Sequence, residues 1–116
     1  MSDEIKIRVG GALKDDLAAF TRAWKRIEAG DQQQERILSF ESWEGLASVL
    51  TGERYRLLRH LHAHPAKSVN ALAQSLRRQY RRVHEDVSVL ERAGLIDRSG
   101  GEVRTTADKL SAVVVL

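Results

Sequence analysis

Four arginines lie within six residues, in the segment SLRRQYRRVHED, at positions Arg77, Arg78, Arg81 and Arg82. A guanidinium group keeps its positive charge and donates two parallel hydrogen bonds, which suits a phosphate or the acceptor edge of guanine. Positive charges this close together repel one another unless an anion lies among them. The cluster therefore predicts contact with a polyanion, and the alternative is a solvated helix face.

The distribution of charge along the chain also indicates that its C-terminal half contacts a polyanion. Residues 1–50 carry seven basic and nine acidic side chains, net −2, whereas residues 51–116 carry twelve basic and seven acidic, net +5. Such asymmetry is typical of a protein whose basic half meets a polyanion. We therefore expect two regions, an N-terminal extension at 1–50 for dimerisation or partner binding and a nucleic-acid-binding unit at 51–116, within one compact domain.

The arginines fall in two predicted helices joined by a tight turn. Ser68 is a suitable N-cap for the first helix. The second begins near Gln79 or Tyr80. At 100° per residue it turns one set of side chains inward and another outward. The inward set is Val83, Val87 and Leu90, and the outward set is Arg81, His84, Glu85 and Ser88, with Arg82 on a flank.

A hairpin is predicted directly after this helix. Gly94 ends the helix, residues 95–98 form a short strand, Ser99-Gly100-Gly101 form the turn, and residues 102–105 form the return strand. The glycines supply the positive φ angles that a hairpin turn needs.

The N-terminal half predicts a strand, a helix and a second strand. Alternation of Ile5, Ile7 and Val9 with basic residues is typical of a half-buried strand. A helix follows, with an apolar stripe over 13–27 and a stop at Gly30-Asp31, and residues 36–40 form a strand that could pair in parallel with the first. A short helix with Ser42 as N-cap then leads to Thr51, the predicted N-cap of the next helix. At the far end, the apolar run 112–116 predicts a strand that needs a partner, which could lie across a dimer interface.

The segment from residue 50 to 104 resembles a winged helix-turn-helix of the MarR-like group. The most characteristic pieces are Leu72-Ala73, the run VHEDV at 83–87 and the run LERAGLI at 90–96. Together with ILSFESWE at 37–44, nearly the whole chain is similar to small prokaryotic DNA-binding regulators, which are often antitoxins encoded beside a small toxin. The expected fold class is α+β, a winged helix-turn-helix with an N-terminal strand-helix-strand extension and a C-terminal strand.

The resemblance implies roles for individual side chains. Arg81 and Gln79 would contact base edges, with His84 and Ser88 further along the same face. Glu85 would either accept from a cytosine amino group or pair with Arg81 along the helix. The remaining candidates are predicted to contact the DNA backbone: Arg77, Arg78, Arg82 and the Tyr80 hydroxyl on the helices, and Arg98 and Arg104 beside the hairpin turn.

Two residues depart from the pattern of the resembled proteins. Such proteins often have glycine at the position of Arg77; here an arginine must either adopt the same backbone conformation or avoid it, and avoiding it would open the turn. They often start the second helix with Asp, Ser or Thr, and Gln79 is a poor substitute as an N-cap.

Other kinds of site are not expected. The chain has no cysteine, no phosphate-binding glycine motif and no catalytic constellation, so we expect neither an enzyme nor a cofactor. His60, His62 and His64 form an H-x-H-x-H run, but too few further ligands lie near it in sequence to predict a metal site. No apolar run is long enough to span a membrane, which favours a cytoplasmic protein.

The sequence therefore predicts a sequence-specific, double-stranded DNA-binding transcriptional regulator that acts as a homodimeric autorepressor. The resemblance implies a further role as an antitoxin that holds a small toxin encoded beside it. The alternative is a winged-helix protein-interaction module that does not bind DNA.

Overall fold

The computed structural model describes residues 3–10 and 36–116, and within them the protein is α+β. Helix 13–27, predicted from the sequence, lies outside these residues. The strands are β1 (Glu4–Val9), β2 (Arg36–Phe40), β3 (Ile96–Ser99), β4 (Glu102–Thr105) and β5 (Lys109–Val114). The helices are α1 (Trp43–Val49), α2 (Gly52–Ala63), α3 (Val69–Leu76) and α4 (Tyr80–Arg92).

The chain divides into two compact units. One comprises residues 47–108, and the other comprises the described part of residues 2–46 together with residues 109–116. The sequence division at residue 50 groups the last strand with the C-terminal half, whereas the structure groups it with β1.

The first unit is built on a parallel sheet with the strand order β2-β1-β5. β1 is the central strand, and its side chains Ile5, Ile7 and Val9 are buried, as their alternation predicted. β2 has the predicted bounds and pairs in parallel with β1, with Ile7 opposite Leu38. α1 follows β2, and the Ser42 hydroxyl accepts from the Gly45 amide at 3.1 Å, as expected of an N-cap.

The C-terminal strand begins earlier than the sequence indicated. The predicted strand covered 112–116, but β5 starts at Lys109 and pairs with β1 of the same chain, with Ile7 opposite Ala112. Hydrophobicity marked only the apolar end of the strand, because Lys109 and Ser111 interrupt the pattern at its start. The Ser111 hydroxyl donates to Glu4, and this bond, followed by the charge of Lys109, lowers the pKa of the Glu4 carboxyl.

The second unit packs α2, α3, α4 and a hairpin around one apolar core. Thr51 and Ser68 cap α2 and α3 as predicted, with their hydroxyls accepting from Arg54 at 3.2 Å and Ala71 at 3.0 Å. The core is formed by buried side chains of the three helices, including the predicted inward set of α4: Leu57, Leu58, Leu61, Leu72, Ala73, Val83, Val87 and Leu90.

The hairpin of β3 and β4 follows α4. β3 runs from Ile96 to Ser99, one residue later than predicted, and β4 has the predicted bounds. Gly100 and Gly101 both have positive φ, 62° and 87°, so they form a two-residue turn of the type that glycine favours. The segment between α2 and α3 joins the hairpin, since Ala66 and Val103 exchange backbone hydrogen bonds of 3.0 and 2.8 Å.

The turn between α3 and α4 is closed, which decides between the two alternatives for Arg77 and excludes the more open turn. Arg77 adopts the left-handed conformation itself, with φ 55° and ψ 43°. The Arg78 amide then donates to the Ala73 carbonyl at 3.0 Å, and the Arg77 amide donates to Gln74 at 3.1 Å. These bonds form a Schellman-type helix end, and they satisfy carbonyl groups that would otherwise lack partners.

Replacing Arg77 with glycine should therefore stabilise the protein. A side chain in the left-handed region costs about 1–2 kcal/mol, and Arg77→Gly removes most of that strain at some cost in chain entropy. We expect the free energy of unfolding to rise by about 1 kcal/mol in urea titrations. Arg77→Ala is the control, since it removes the guanidinium but keeps the strain. A glycine variant no more stable than the alanine variant would show that the turn is unstrained.

None of the described helices is long and apolar enough to cross a membrane.

Candidate nucleic-acid interface

α4 has one buried side and one exposed side, as its angular pattern predicted. Val83, Val87 and Leu90 are fully buried. The opposite side presents Arg81, His84 and Glu85 to solvent, and Ser88 is half-buried there. The side chains that the sequence assigned to base contacts therefore lie together on one helix face, joined at its start by the exposed Gln79.

Three of the four clustered arginines are exposed and have no partner within residues 3–10 and 36–116. Within the described residues, the side chains of Arg77, Arg81 and Arg82 make no ion pair and no hydrogen bond. The proposed pairing of Arg81 with Glu85 along the helix is not formed. These guanidinium groups thus keep their hydrogen-bonding capacity for another molecule.

The backbone of α4 adds to the positive character of this end. Gln79 occupies the N-cap position with extended dihedral angles, but its side chain makes no capping bond. The first amide groups of α4 are therefore not capped by Gln79, and the helix dipole places partial positive charge there. Arginine side chains beside a helix N-terminus are repelled by the positive end of the helix dipole. A phosphate bound there would stabilise both the arginines and the first amide groups.

Arg78 differs from its neighbours, because it is partly buried and bound to carboxylates. Its Nη2 donates to Asp86 at 2.8 Å, and its Nε lies 3.4 Å from Glu53. Its Nη1 is buried and has no hydrogen-bond partner. The structure thus assigns Arg78 an internal role at the turn, whereas the sequence grouped it with the phosphate-binding arginines.

Asp86 and Arg54 complete this internal cluster, and sequence reasoning missed both. Asp86 is the one buried charged residue among those described, 8% exposed, and it also accepts from Arg54 Nε at 3.0 Å. Arg54 in turn donates to the carbonyls of Ser48 and Val49 at the end of α1, at 2.8 and 3.1 Å. Ser48 and Val49 lie within the unit 47–108, so the cluster ties the start of this unit to α2, the turn and α4. Asp86 follows Val83 by three residues and precedes Leu90 by four, and that spacing already placed it on the buried side.

Each of the two hairpin arginines forms an ion pair with a glutamate. Arg98 donates from Nη2 to Glu91 of α4 at 3.1 Å, which holds the hairpin against the helix. Arg104 pairs with Glu102 on its own strand at 2.7 Å, and both side chains are about half-exposed. Exposed pairs of this kind are weak, so either arginine remains able to exchange its carboxylate for a phosphate.

The aromatic residue of the cluster lies beside a histidine. Tyr80 is 51% exposed, and its ring centroid lies 5.7 Å from that of His84, one helical turn further on. Both rings belong to the exposed side of α4, so the Tyr80 hydroxyl is open to an outside partner.

The histidine run does not gather a ligand set. His60 and His64 have ring centroids 5.4 Å apart, consistent with their spacing on one helix face. His62 contacts Asp108 at 2.9 Å instead. Among residues 3–10 and 36–116, no group of three His, Cys, Asp or Glu side chains is placed to hold a metal ion.

Comparison with known proteins gives one family match, to the family model HVO_A0114, over residues 49–112. The matched segment is more than half of the chain. The chain belongs to the HVO_A0114 family. The match runs from the end of α1 into β5, so it contains the arginine cluster, the Arg54–Asp86–Arg78 contacts and the hairpin. No curated protein and no solved structure matches the chain.

Proposed function

We propose that residues 47–108 form a winged helix-turn-helix that binds double-stranded DNA, and that the protein is a transcriptional regulator. In this proposal α3 and α4 are the two helices of the motif, α4 is the recognition helix, and the β3–β4 hairpin is the wing. The order of these elements, the closed turn and the bridge from Ala66 to β4 support it. So does the resemblance to MarR-like regulators.

The observation that carries the proposal is the unpaired charge at the start of α4. Arg77, Arg81 and Arg82 are exposed and without partners among the described residues, and they surround an uncapped helix N-terminus. Recognition helices of this class enter the major groove by their N-terminal residues. Arg81, on the outward face, would contact guanine, while Arg77 and Arg82 would contact phosphates.

A gel-shift experiment tests this function. The probe is the DNA upstream of the protein's own reading frame, since an autorepressor binds its own promoter, and a scrambled duplex of equal length is the control. We expect a complex at low salt that weakens steeply as salt is added, because phosphate contacts release counterions. Failure to bind either duplex at low salt would exclude the regulator and leave the protein-interaction module.

The antitoxin role is a second part of the proposal, and it concerns the other unit. Trp43 is 58% exposed and Ile37 is 41% exposed, so both side chains offer apolar surface that a partner protein could cover. We propose that this unit holds a small toxin encoded beside the protein. Co-purification of the adjacent gene product with the wild-type chain, and its loss on Trp43→Ala, would support this role. Retention of the partner by the variant would contradict the assigned surface.

A further inference from the structure

Among the described strands, β5 stands at the edge of its sheet, and the side that faces away from β1 has a defined hydrogen-bonding pattern. It stands at the end of the β2-β1-β5 order, and its inner side is bonded to β1 through Lys109 N to Asp3 O at 3.3 Å and Val115 N to Val9 O at 3.0 Å. In a regular parallel ladder, alternate residues direct both backbone groups to the same neighbour. The backbone N–H and C=O groups of Lys109 and of every second residue after it therefore point toward β1. The residues between them turn their N–H and C=O groups to the open edge, and these are Leu110, Ala112 and Val114.

Beyond Lys109 at its start, this edge has none of the usual protection among the residues that the structure describes. Residues 112–116 contain no charge and no proline, and the strand is largely exposed, with Val113 at 60% and Val114 at 46%. Proteins normally guard such an edge with lysine, proline, a bulge or a covering element, because unpaired strand edges recruit other strands. An apolar edge left open in this way is suited to pairing.

We propose that the partner is a second copy of this chain, with the two β5 strands paired antiparallel about a twofold axis at Ala112. In this register Ala112 lies opposite Ala112 of the partner subunit, and Leu110 lies opposite the partner subunit's Val114. All of these residues have outward-facing backbone groups, so each opposed pair can exchange both hydrogen bonds of an antiparallel ladder. The edge is thus complementary to itself.

The charges of β5 are compatible with the same register. Lys109, the only charged residue of the strand, would lie opposite the partner subunit's Val115, at the far end from the other copy's lysine. No like charges face one another, and the uncharged stretches overlap. The described strands would form one continuous sheet in the order β2-β1-β5-β5-β1-β2.

The β5 interface does not depend on the proposed DNA binding, but the dimer it forms is suited to that function. A twofold dimer presents two copies of α4, and such proteins bind operators with two half-sites.

A charge-reversal experiment without DNA tests the pairing. The mass of the wild-type chain is measured by light scattering after gel filtration, and the expected value is twice the 13.0 kDa of one chain. Ala112→Lys and Ala112→Glu each place like charges opposite one another at the axis, so each variant alone should be monomeric. Mixed in equal amounts, they should restore the dimer. Ser39→Lys, an exposed position on the opposite edge strand β2, is the matched control and should remain dimeric.

Three results would overturn the proposal: a monomeric wild type, dimers that survive in both Ala112 variants, or a mixture that stays monomeric. Circular dichroism checks that each variant is folded. DNA binding is scored separately, since a folded Ala112→Lys monomer that still binds a duplex weakly leaves the regulator intact, whatever the outcome for the interface.

Discussion

Replacing Asp86 with alanine is expected to lower the free energy of unfolding by about 3 kcal/mol, because a buried ion pair that loses one partner leaves uncompensated charge behind. Asp86 accepts from two guanidinium groups, at 3.0 Å from Arg54 and 2.8 Å from Arg78. Their side chains are only 13% and 22% exposed, so water cannot fully replace the carboxylate. Glu53, 57% exposed, is too well solvated to compensate.

Urea denaturation followed by circular dichroism measures this loss. Asp97→Ala is the matched control, since it makes the same chemical change at an exposed position and should shift the free energy of unfolding by no more than about 0.5 kcal/mol. Asp86→Asn keeps one acceptor oxygen and should be intermediate. A loss below about 1 kcal/mol for Asp86→Ala would mean that the cluster does not anchor α4.

Replacing Arg81 and replacing Arg82 with alanine should each weaken DNA binding, but in different ways. Arg81→Ala is expected to lower affinity for the operator by tenfold to a hundredfold, corresponding to about 1–3 kcal/mol for a bidentate guanine contact, and to relax specificity at one base pair. Arg82→Ala should weaken binding to all sequences alike. It should also reduce the slope of log affinity against log salt by about 0.9, the contribution of one phosphate contact.

Fluorescence anisotropy with the operator and with base-substituted duplexes separates the two effects. Arg59→Ala is the control: this exposed arginine lies on α2 with its guanidinium 5.9 Å from the ring centroid of Tyr55, and its loss should leave binding unchanged. If Arg81→Ala loses affinity equally for every sequence, Arg81 contacts phosphate and the base assignment is wrong.

Local chemistry made much of this fold predictable from the sequence. Thr51 and Ser68 cap helices because their hydroxyls accept from a backbone amide three residues on, a signal contained within four residues. The spacing of Val83, Val87 and Leu90 fixed the buried side of α4, and thereby its exposed side. The paired glycines at 100 and 101 fixed the hairpin turn.

Contacts between residues distant in sequence could not be predicted in the same way. The four clustered arginines have the same chemistry, and only the fold, which brings Asp86 and Glu53 beside the turn, separates Arg78 from the others. The pairing of Arg54 with Asp86 spans 32 residues, and no local pattern reports it. Likewise, the apolar end of β5 indicated a strand that needs a neighbour, but not that β1 is that neighbour.

The central claim is that the exposed side of α4 binds duplex DNA, and an NMR titration tests it most directly. The amide resonances of the uniformly ¹⁵N-labelled protein are followed while the promoter duplex is added at low salt. We predict that the largest shifts fall on residues 77–88 and on the hairpin turn at 99–101, with little change in β1 and β2. Shifts concentrated on residues 37–43, or no shifts at duplex excess, would contradict the account.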